Sequence, residues 1–252
     1  MIEPISRRGL IRSLGAGGLI LGGCDRVGNS ATFDEARKLS EAATRGSQRL
    51  VASRSALAPE FSAADMSPFF RTNGSTMPRS AEYQAHAATA FANWRLIVDG
   101  LVARPLALSL DTIRRLPART QITRHDCVEG WSAIGKWTGV PLKLLLDQAG
   151  LRPAARYIVF HCADDSGGVP YYESIDLADA HHPQTILAWA MNGQFLPIGH
   201  GAPLRLRVER QLGYKHAKFV MRVEAIDRLT SIGRGKGGYW EDVANYQWYA
   251  GI

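Results

Sequence analysis

Short strand-like segments, separated by turn signals, follow one another through the second half of this 252-residue chain. Several end at Gly, Asn or Asp, and the Asn192-Gly193 pair is a strong signal for a tight hairpin turn. Short strands joined by tight turns favour antiparallel pairing. We therefore predict an α+β fold of mixed, mostly antiparallel β-sheets with short helices. The strand-like segments are residues 156–162, 171–175, 185–191, 204–208 and 219–229.

Short helices are expected between the strands because their end signals are present. Ser109 can accept a hydrogen bond from the first turn of a helix over residues 110–116. Pro141 suits the first turn of a second helix, which runs to about Gln148 and ends at Gly150.

The segment before these helices is predicted to hold a helix and a strand pair. Residues 81–91 favour a short helix, and residues 94–98 favour a strand. Asp99-Gly100 would form the turn that leads into the partner strand, residues 101–108. Residues 204–208 alternate Leu-Arg-Leu-Arg-Val, which is typical of a half-buried strand. We therefore expect one face of this strand to be apolar and the other to be solvated.

The N-terminus carries the features of an export signal. Arg7 and Arg8 form a twin-arginine pair, and the Gly-rich apolar stretch 14–23 is shorter than the roughly 20 residues that span a bilayer. We therefore interpret residues 1–30 as a twin-arginine signal, with a basic tail as the alternative. Twin-arginine export moves folded proteins, which predicts a bacterial envelope or periplasmic enzyme that receives its cofactor before export.

Cys24 gives the leader a second interpretation. Small residues precede this cysteine at the end of the apolar stretch, as in a lipoprotein cleavage site, so a lipid on Cys24 could anchor the chain to a membrane. Ordinary cleavage near Ser30 is the alternative. Residues 31–58 are interpreted as a linker or surface helix, and residues 59–252 as the single catalytic domain.

Composition excludes several classes of protein. With 46% hydrophobic and 21% charged residues, the chain is neither disordered nor an integral membrane protein. Its formal net charge of +7 is not concentrated in a Lys/Arg run, and no nucleic-acid-binding motif is present. We therefore expect scattered surface charge together with one anion-binding site, and no nucleic-acid partner.

Cys127 is the residue whose surroundings most clearly indicate chemistry. A strand over residues 120–123 is expected to deliver it into a loop, after Arg124, His125 and Asp126. Neighbouring cations favour a thiolate, which is a soft metal ligand or a nucleophile. An inert structural cysteine and a disulfide with Cys162 are the alternatives.

Seven sequence pieces, in order, resemble the molybdopterin-binding oxidoreductase family, which has the sulfite-oxidase fold. The resemblance extends to the catalytic subunit of bacterial periplasmic sulfoxide reductases and to sulfite-oxidase-like enzymes. Each piece is weak alone, and their order and spacing make the match specific. The pieces are residues 94–102 (WRLIVDGLV), 126–131 (DCVEGW), 138–142 (TGVPL), 172–175 (YESI), 187–193 (LAWAMNG), 200–206 (HGAPLRL) and 213–218 (GYKHAK).

The resemblance implies one molybdenum held by the dithiolene of a pterin cofactor, with Cys127 as its protein ligand and catalytic centre. Arg205, Lys215 and Lys218 would hold the phosphate of the pterin. We expect Arg207 to point away from Arg205 and to serve as a control. A solvated strand face is the alternative for Arg205 and Lys218. The full set of implied cofactor contacts is Asn73, Cys162, Asn192, His200, Arg205, Gly213, Tyr214, Lys215 and Lys218.

Several of these positions have structural alternatives. Asn192 lies in a sequence that is equally typical of a plain hairpin turn. His181 and His182 are adjacent, so they point in opposite directions along a strand and are expected to have structural roles rather than to bind zinc. The Gly-rich residues 233–242 are expected to form a rim over the pocket.

The function expected from the resemblance is oxygen-atom transfer on a small sulfur- or nitrogen-containing substrate. No haem attachment sequence is present, so electrons would pass to or from a separate cytochrome or membrane subunit. Two other functions compete: a non-catalytic binding protein with the same fold, and a cysteine hydrolase with Cys127 as nucleophile.

The export signal gives the first testable prediction. Changing Arg7→Lys and Arg8→Lys together should leave precursor in the cytoplasm, because the export receptor recognises the arginine pair itself. Fractionation followed by immunoblotting measures this. Normal export of the double variant would refute a twin-arginine signal.

The lipid anchor has its own test. Cys24→Ala should release soluble protein only if Cys24 carries a lipid.

Overall fold

The computed structural model describes residues 56–252 and, before them, residues 35–36, 39–40, 42–44 and 46–47. The chain divides into two units, Met1–Val51 and Ala52–Ile252. In the first unit the described residues are helical and exposed. The predicted export signal, Cys24 and most of the predicted linker lie outside the described residues. No helix in the described part of the chain has the length and apolar character needed to cross a membrane.

Two five-stranded sheets form the second unit. The first sheet has the order β2-β1-β10-β5-β6, and among its described strands β1 and β10 alone pair in parallel. Parallel strands need a long connection between them, and here the connection from β1 to β10 contains most of the domain's residues. The strands of this sheet are β1 (Arg95–Gly100), β2 (Leu106–Ser109), β5 (Tyr157–Ser166), β6 (Val169–Asp176) and β10 (Val220–Ile226).

The second sheet is antiparallel throughout its described strands. Its order is β3-β4-β7-β8, and β9 also pairs with β7. The strands are β3 (Arg119–Cys127), β4 (Trp131–Pro141), β7 (Ile186–Met191), β8 (Gln194–Phe195) and β9 (Arg205–Arg207). The predicted class of mostly antiparallel sheets with short helices is confirmed.

The helices begin and end at the signals present in the sequence. In α2, the Ser109 side chain accepts a hydrogen bond from the backbone N–H of Thr112. In α3, Pro141 occupies the N-cap and Gly150 adopts a left-handed φ of 70° just past the end. The helices are α1 (Ala81–Ala88), α2 (Leu110–Arg115), α3 (Leu142–Ala149), α4 (Leu177–Ala180) and α5 (Tyr239–Ala244), with 3-10 turns at Ala63–Asp65, Ile198–His200, Gly213–Lys215 and Leu229–Ser231.

Three predictions of strand boundaries and exposure are wrong. Cys127 is the last residue of β3 and pairs with Trp131, so the loop starts only after it. Gly100 is not a turn but continues β1 as the partner of Ala225. Residues 205–207 are buried on both faces, because β9 packs inside the domain instead of at a solvated surface.

Two apolar clusters pack on the two faces of the second sheet. Leu187 belongs to a large cluster that also contains side chains of the first sheet, α1 and α3. Ile186 and Ala188, its neighbours in β7, belong to a smaller cluster around Phe70 and Trp137. Because successive side chains alternate between faces, β7 is apolar on both sides and its sequence reads as a continuous apolar run.

Gly139 allows the close approach of β4 and β7, which gives a prediction for stability. A Cβ at this position would lie 2.3 Å from the carbonyl oxygen of Leu187. Gly139→Ala should therefore reduce the free energy of unfolding by about 1–3 kcal/mol, as overpacking does. Urea unfolding measures this. Lys136→Ala on the same strand is the control and should change the free energy of unfolding by less than about 0.5 kcal/mol. Equal losses in both variants would contradict the steric explanation.

Candidate functional site

A cavity of about 680 Å³ opens among five segments of the second unit. Its volume is that of a typical pocket for a cofactor or small molecule. The wall contains two of the motifs identified in the sequence, around Cys127 and Gly213. The lining residues lie in segments 73–79, 127–129, 164–167, 213–218 and 239–246, together with Tyr171.

Cys127 places its thiol in this wall at the end of β3. The β3–β4 ladder holds it, since Cys127 pairs with Trp131 and its carbonyl accepts a hydrogen bond from the N–H of Gly130. Burial raises the pKa of the Cys127 thiol, while the Arg205 charge acts in the opposite direction. The cavity therefore presents one soft sulfur donor, near a buried cation.

Arg205 lies beside Cys127 and brings two other predicted residues together. Its guanidinium donates hydrogen bonds to Asn73 Oδ1 at 3.1 Å and to the backbone oxygen of His200 at 3.3 Å. The side chain is fully buried, and within the described residues its Nε has no partner. Burial and the nearby Arg207 charge lower the pKa of Arg205 to about 9.

Lys218 is a buried cation in the cavity wall itself. Its ammonium donates hydrogen bonds to the backbone oxygens of Asn73 at 2.7 Å, Gly199 at 2.9 Å and Ser75. Burial, and then repulsion from Arg205, lower the pKa of Lys218 to about 7. Lys218 thus fixes the loop at residues 73–75 that forms one side of the cavity.

The charge balance of the inner wall fits an anionic ligand. Arg205 and Lys218 are hydrogen-bonded to neutral oxygens, and no ion pair to either appears among the described residues. Asp164 is the carboxyl group that most raises the pKa of Lys218, and burial raises the pKa of Asp164 itself to about 6. Buried cations without matching carboxylates are costly unless an anion compensates them.

Gly213 and Tyr214 also line the cavity, and each has a further contact within the protein. A Cβ on Gly213 would lie 2.6 Å from Nε2 of His125, so glycine allows this turn to pack against β3. The Tyr214 hydroxyl donates to the Gln247 carbonyl at 2.5 Å, and the Tyr214 carbonyl accepts from the Tyr171 hydroxyl at 2.7 Å.

Five predicted cofactor contacts are not among the residues that line the cavity: Cys162, Asn192, His200, Arg205 and Lys215. Lys215 is buried between Glu173 and Glu241, so its charge is already compensated by carboxylates. Asn192 forms the β7–β8 turn with a φ of 52°, and its Oδ1 accepts from the N–H of Lys136, as in the plain-turn alternative. Cys162 packs in the larger apolar cluster.

The disulfide alternative is wrong, because Cys127 and Cys162 are both free thiols. Cys127 ends a strand of the second sheet, whereas Cys162 lies within β5 of the first sheet, so the two residues belong to different layers. His181 and His182 each bond a backbone carbonyl, which agrees with the structural roles expected for them. Among the described residues no group of three or more His, Cys, Asp or Glu side chains could hold a metal.

The prediction for Arg207 is also wrong. The Arg205 and Arg207 guanidinium carbons lie 5.4 and 4.3 Å from the same Trp137 ring, so both side chains are on one face of β9. Residues two apart on a strand share a face, and the expectation of opposite faces neglected this period. Arg207 forms an ion pair with Glu209 and donates to Nδ1 of His125 at 3.0 Å.

Sequence reasoning missed two rings on the aromatic side of the cavity, Tyr171 and Tyr246. Five rings form a continuous series with centroid distances of 5.0 to 5.8 Å, which we call the aromatic wall. Tyr239 and Trp240 lie in residues 233–242, which were predicted to form a rim over the pocket. The aromatic wall consists of Tyr171, Tyr214, Tyr239, Trp240 and Tyr246.

Arg205 and Arg207 give a paired prediction. Arg207→Met leaves Glu209 buried without its cation and should reduce the free energy of unfolding by about 3–5 kcal/mol. Arg205→Met removes one of two cations that repel each other and leaves no carboxylate without a partner. Its loss in the free energy of unfolding should therefore be clearly smaller. Denaturant unfolding of both variants measures this, and a larger loss in Arg205→Met would contradict the assignment.

Comparison with known proteins finds relatives over about 150 residues of the chain. A relative from Azospira oryzae, named putative protein-methionine-sulfoxide reductase subunit YedZ1, is 46% identical over 160 residues, covering 64% of this chain and 56% of that protein. The protein-methionine-sulfoxide reductase catalytic subunit MsrP of Ralstonia nicotianae is 34% identical over 146 residues, covering 54% and 44%. The chain thus spans about half the length of the curated relatives it matches.

The fold and the family are shown by two further matches. The crystal structure of the sulfane dehydrogenase SoxCD from Paracoccus pantotrophus superposes with a TM-score of 0.50 at 26% identity, covering 54% of this chain and 39% of that one. The family described as oxidoreductase molybdopterin binding domain matches residues 83–231, more than half of the chain. This confirms the predicted fold and the predicted pterin cofactor. The chain belongs to the molybdopterin-binding oxidoreductase family.

Proposed function

We propose that this chain is a molybdenum-pterin oxidoreductase that transfers an oxygen atom on a small sulfur- or nitrogen-containing substrate, with Cys127 as the molybdenum ligand. The observation that carries the proposal is the Cys127 thiol in the wall of a 680 Å³ cavity, beside the buried charge of Arg205. Thiolate sulfur is a ligand suited to a soft metal centre, and the family binds molybdopterin.

The residues around the cavity fit an anionic pterin cofactor. Arg205, with its unpartnered Nε, and Lys218 would compensate the phosphate and dithiolene charges. Asn73 and the carbonyl of His200 hold the Arg205 fork in place. When bound, the cofactor supplies a centre that exchanges oxygen and two electrons with the substrate.

Asp164 is our candidate proton donor. Removal of oxygen from an oxide consumes protons, so a donor must lie at the cavity. Oδ1 of Asp164 is buried in the wall with no hydrogen-bond partner among the described residues, and burial raises its pKa to about 6. A carboxyl group of this pKa can hold and release a proton near neutral pH.

We propose a methyl sulfoxide, that of methionine, as the substrate, and reduction as the direction. The relatives in Azospira oryzae and Ralstonia nicotianae are named for methionine-sulfoxide reduction. The aromatic wall supports the same choice, because aromatic rings make favourable contacts with a sulfur atom and its methyl group. Exposed Met77 and Val128 at the cavity would contact the apolar part of such a substrate.

Location and partners are proposed from the sequence. The leader at residues 1–30 supports export to the periplasm or cell envelope, with membrane attachment only through a lipid on Cys24. Electrons would come from a separate cytochrome or membrane subunit. The relatives' names, which speak of a subunit and a catalytic subunit, support such a division of labour.

The prediction that tests this function concerns the thiol. Cys127→Ser should fold normally and lose at least about a hundredfold in the rate of methionine-sulfoxide reduction, because a hydroxyl is a harder ligand than a thiolate. Replacing a residue that only supports a ligand usually costs about 10–100-fold, so a larger loss indicates the ligand itself. Cys162→Ser is the matched control, because its thiol packs in the apolar cluster.

Metal analysis of the same proteins separates the competing functions. The oxidoreductase requires about one molybdenum per chain in the wild type and in Cys162→Ser. A non-catalytic binding protein or a cysteine hydrolase requires none. Full turnover by Cys127→Ser, or wild-type protein free of molybdenum after exposure to the cellular loading machinery, would reject the proposal.

A further inference from the structure

A group of three fully buried charged side chains lies outside the cavity and takes no part in the proposed chemistry. The ammonium of Lys215 lies 2.5 Å from Oε2 of Glu173 and 2.7 Å from Oε1 of Glu241. All three side chains are essentially inaccessible to solvent. We call this group the buried clamp.

The two carboxyl groups of the buried clamp also meet each other. Oε1 of Glu173 and Oε2 of Glu241 lie 2.6 and 2.1 Å from the point that a Cβ on Gly238 would occupy. Neither oxygen has a hydrogen-bond donor among the other described residues. Gly238 therefore leaves the space in which these two oxygens face each other, and such a contact is stable only when a proton lies between them.

One shared proton makes the buried clamp neutral as a whole. Burial and the Glu241 carboxylate raise the pKa of Glu173 well above its usual value. Although burial favours the neutral amine, Glu173 and Glu241 hold the pKa of Lys215 above its usual value. One ammonium, one carboxylate and one protonated carboxyl remain, which avoids an uncompensated charge in the interior.

Each member of the buried clamp lies one or two residues along the chain from a ring of the aromatic wall. Glu173 follows Tyr171 by two residues on β6, so the two share a face of that strand. Lys215 directly follows Tyr214, and Glu241 directly follows Trp240 in α5. The three elements that carry these rings are thus joined at one point.

We propose that Glu173, Lys215 and Glu241 are positioning residues: a neutral, proton-sharing clamp that fixes the aromatic wall and thereby sets the affinity of the cavity for its substrate. Buried ion pairs contribute little net stability compared with apolar residues of similar size. Their directional contacts instead fix one arrangement of β6, the turn at Gly213–Lys215 and α5. The link to substrate affinity rests on the proposed function, whereas the shared proton and the geometry do not.

Charge-matched variants of the holoenzyme test the buried clamp. Glu173→Gln and Glu241→Gln should each be tolerated, because the other glutamate gives up the shared proton and still pairs with Lys215. The double variant leaves Lys215 alone, and Lys215→Met leaves two carboxyls without a cation, so both should lose near-UV circular dichroism from the aromatic wall. Lys215→Met combined with Glu173→Gln and Glu241→Gln contains no charged group and should recover the signal.

Infrared spectroscopy detects the shared proton directly. At pH 8, above the pKa of about 6 of Asp164, the wild type should show a protonated-carboxyl band that either single Glu→Gln variant removes. Lys236→Met, a change to an exposed lysine that bonds Asn245, is the control and should retain the band. A band that persists in both single variants, or an unchanged near-UV spectrum in the double variant, would overturn the proposal.

Kinetics distinguish positioning from a purely structural role. Lys215→Met should raise KM for methionine sulfoxide roughly tenfold while kcat per molybdenum changes little, because the clamp acts on binding and does not line the cavity that contains Cys127. Equal loss of kcat with unchanged KM would overturn the positioning role. Failure of the wild type to reduce the sulfoxide would reject the proposed function, and the infrared and dichroism measurements would still decide the clamp.

Discussion

The burial of cations at the second sheet is the constraint on which the cavity depends. Arg205 and Lys218 are held by amide and carbonyl oxygens, whereas Arg207 is paired with Glu209. An apolar interior tolerates such charges only when each has directed partners. The loop at residues 73–75, the turn at Ile198–His200 and strand β9 therefore take the positions that these donors require, and the thiol of Cys127 lies beside them.

Much of the fold follows from local sequence, and the site follows from it only in part. Ser109 and Gly150 mark helix ends because capping acts within a few residues, and the alternation of apolar residues identifies strands. The partners of Lys215 could not be inferred, since Glu173 and Glu241 come from other elements far along the chain. The burial of β9 could not be predicted either, because alternating Leu and Arg residues are typical of a strand with one solvated face. Only the surrounding fold shows that both faces are covered.

The structure separates the group that would contact the metal from the groups that shape its surroundings. Cys127 ends a strand whose whole length is paired with β4, so the thiol is attached to the most regular part of the second sheet. The aromatic wall, in contrast, comes from β6, a short 3-10 turn, a six-residue helix and Tyr246 just after that helix. Such short elements have little stability of their own, which is why buried charges between them matter.

The cavity combines a central region that the family shares with two flanks that lie beyond it. The family match covers residues 83–231 and includes Cys127, Arg205 and Lys218. The lining residues at 73–79 and 239–246 fall before and after this region. The first flank is nevertheless attached to the matched region, because Asn73 and the backbone oxygen of Ser75 accept hydrogen bonds from Arg205 and Lys218. Substitutions at residues 73–75 and at Arg205 or Lys218 should therefore depend on one another, since residues that share hydrogen-bond partners do not vary additively.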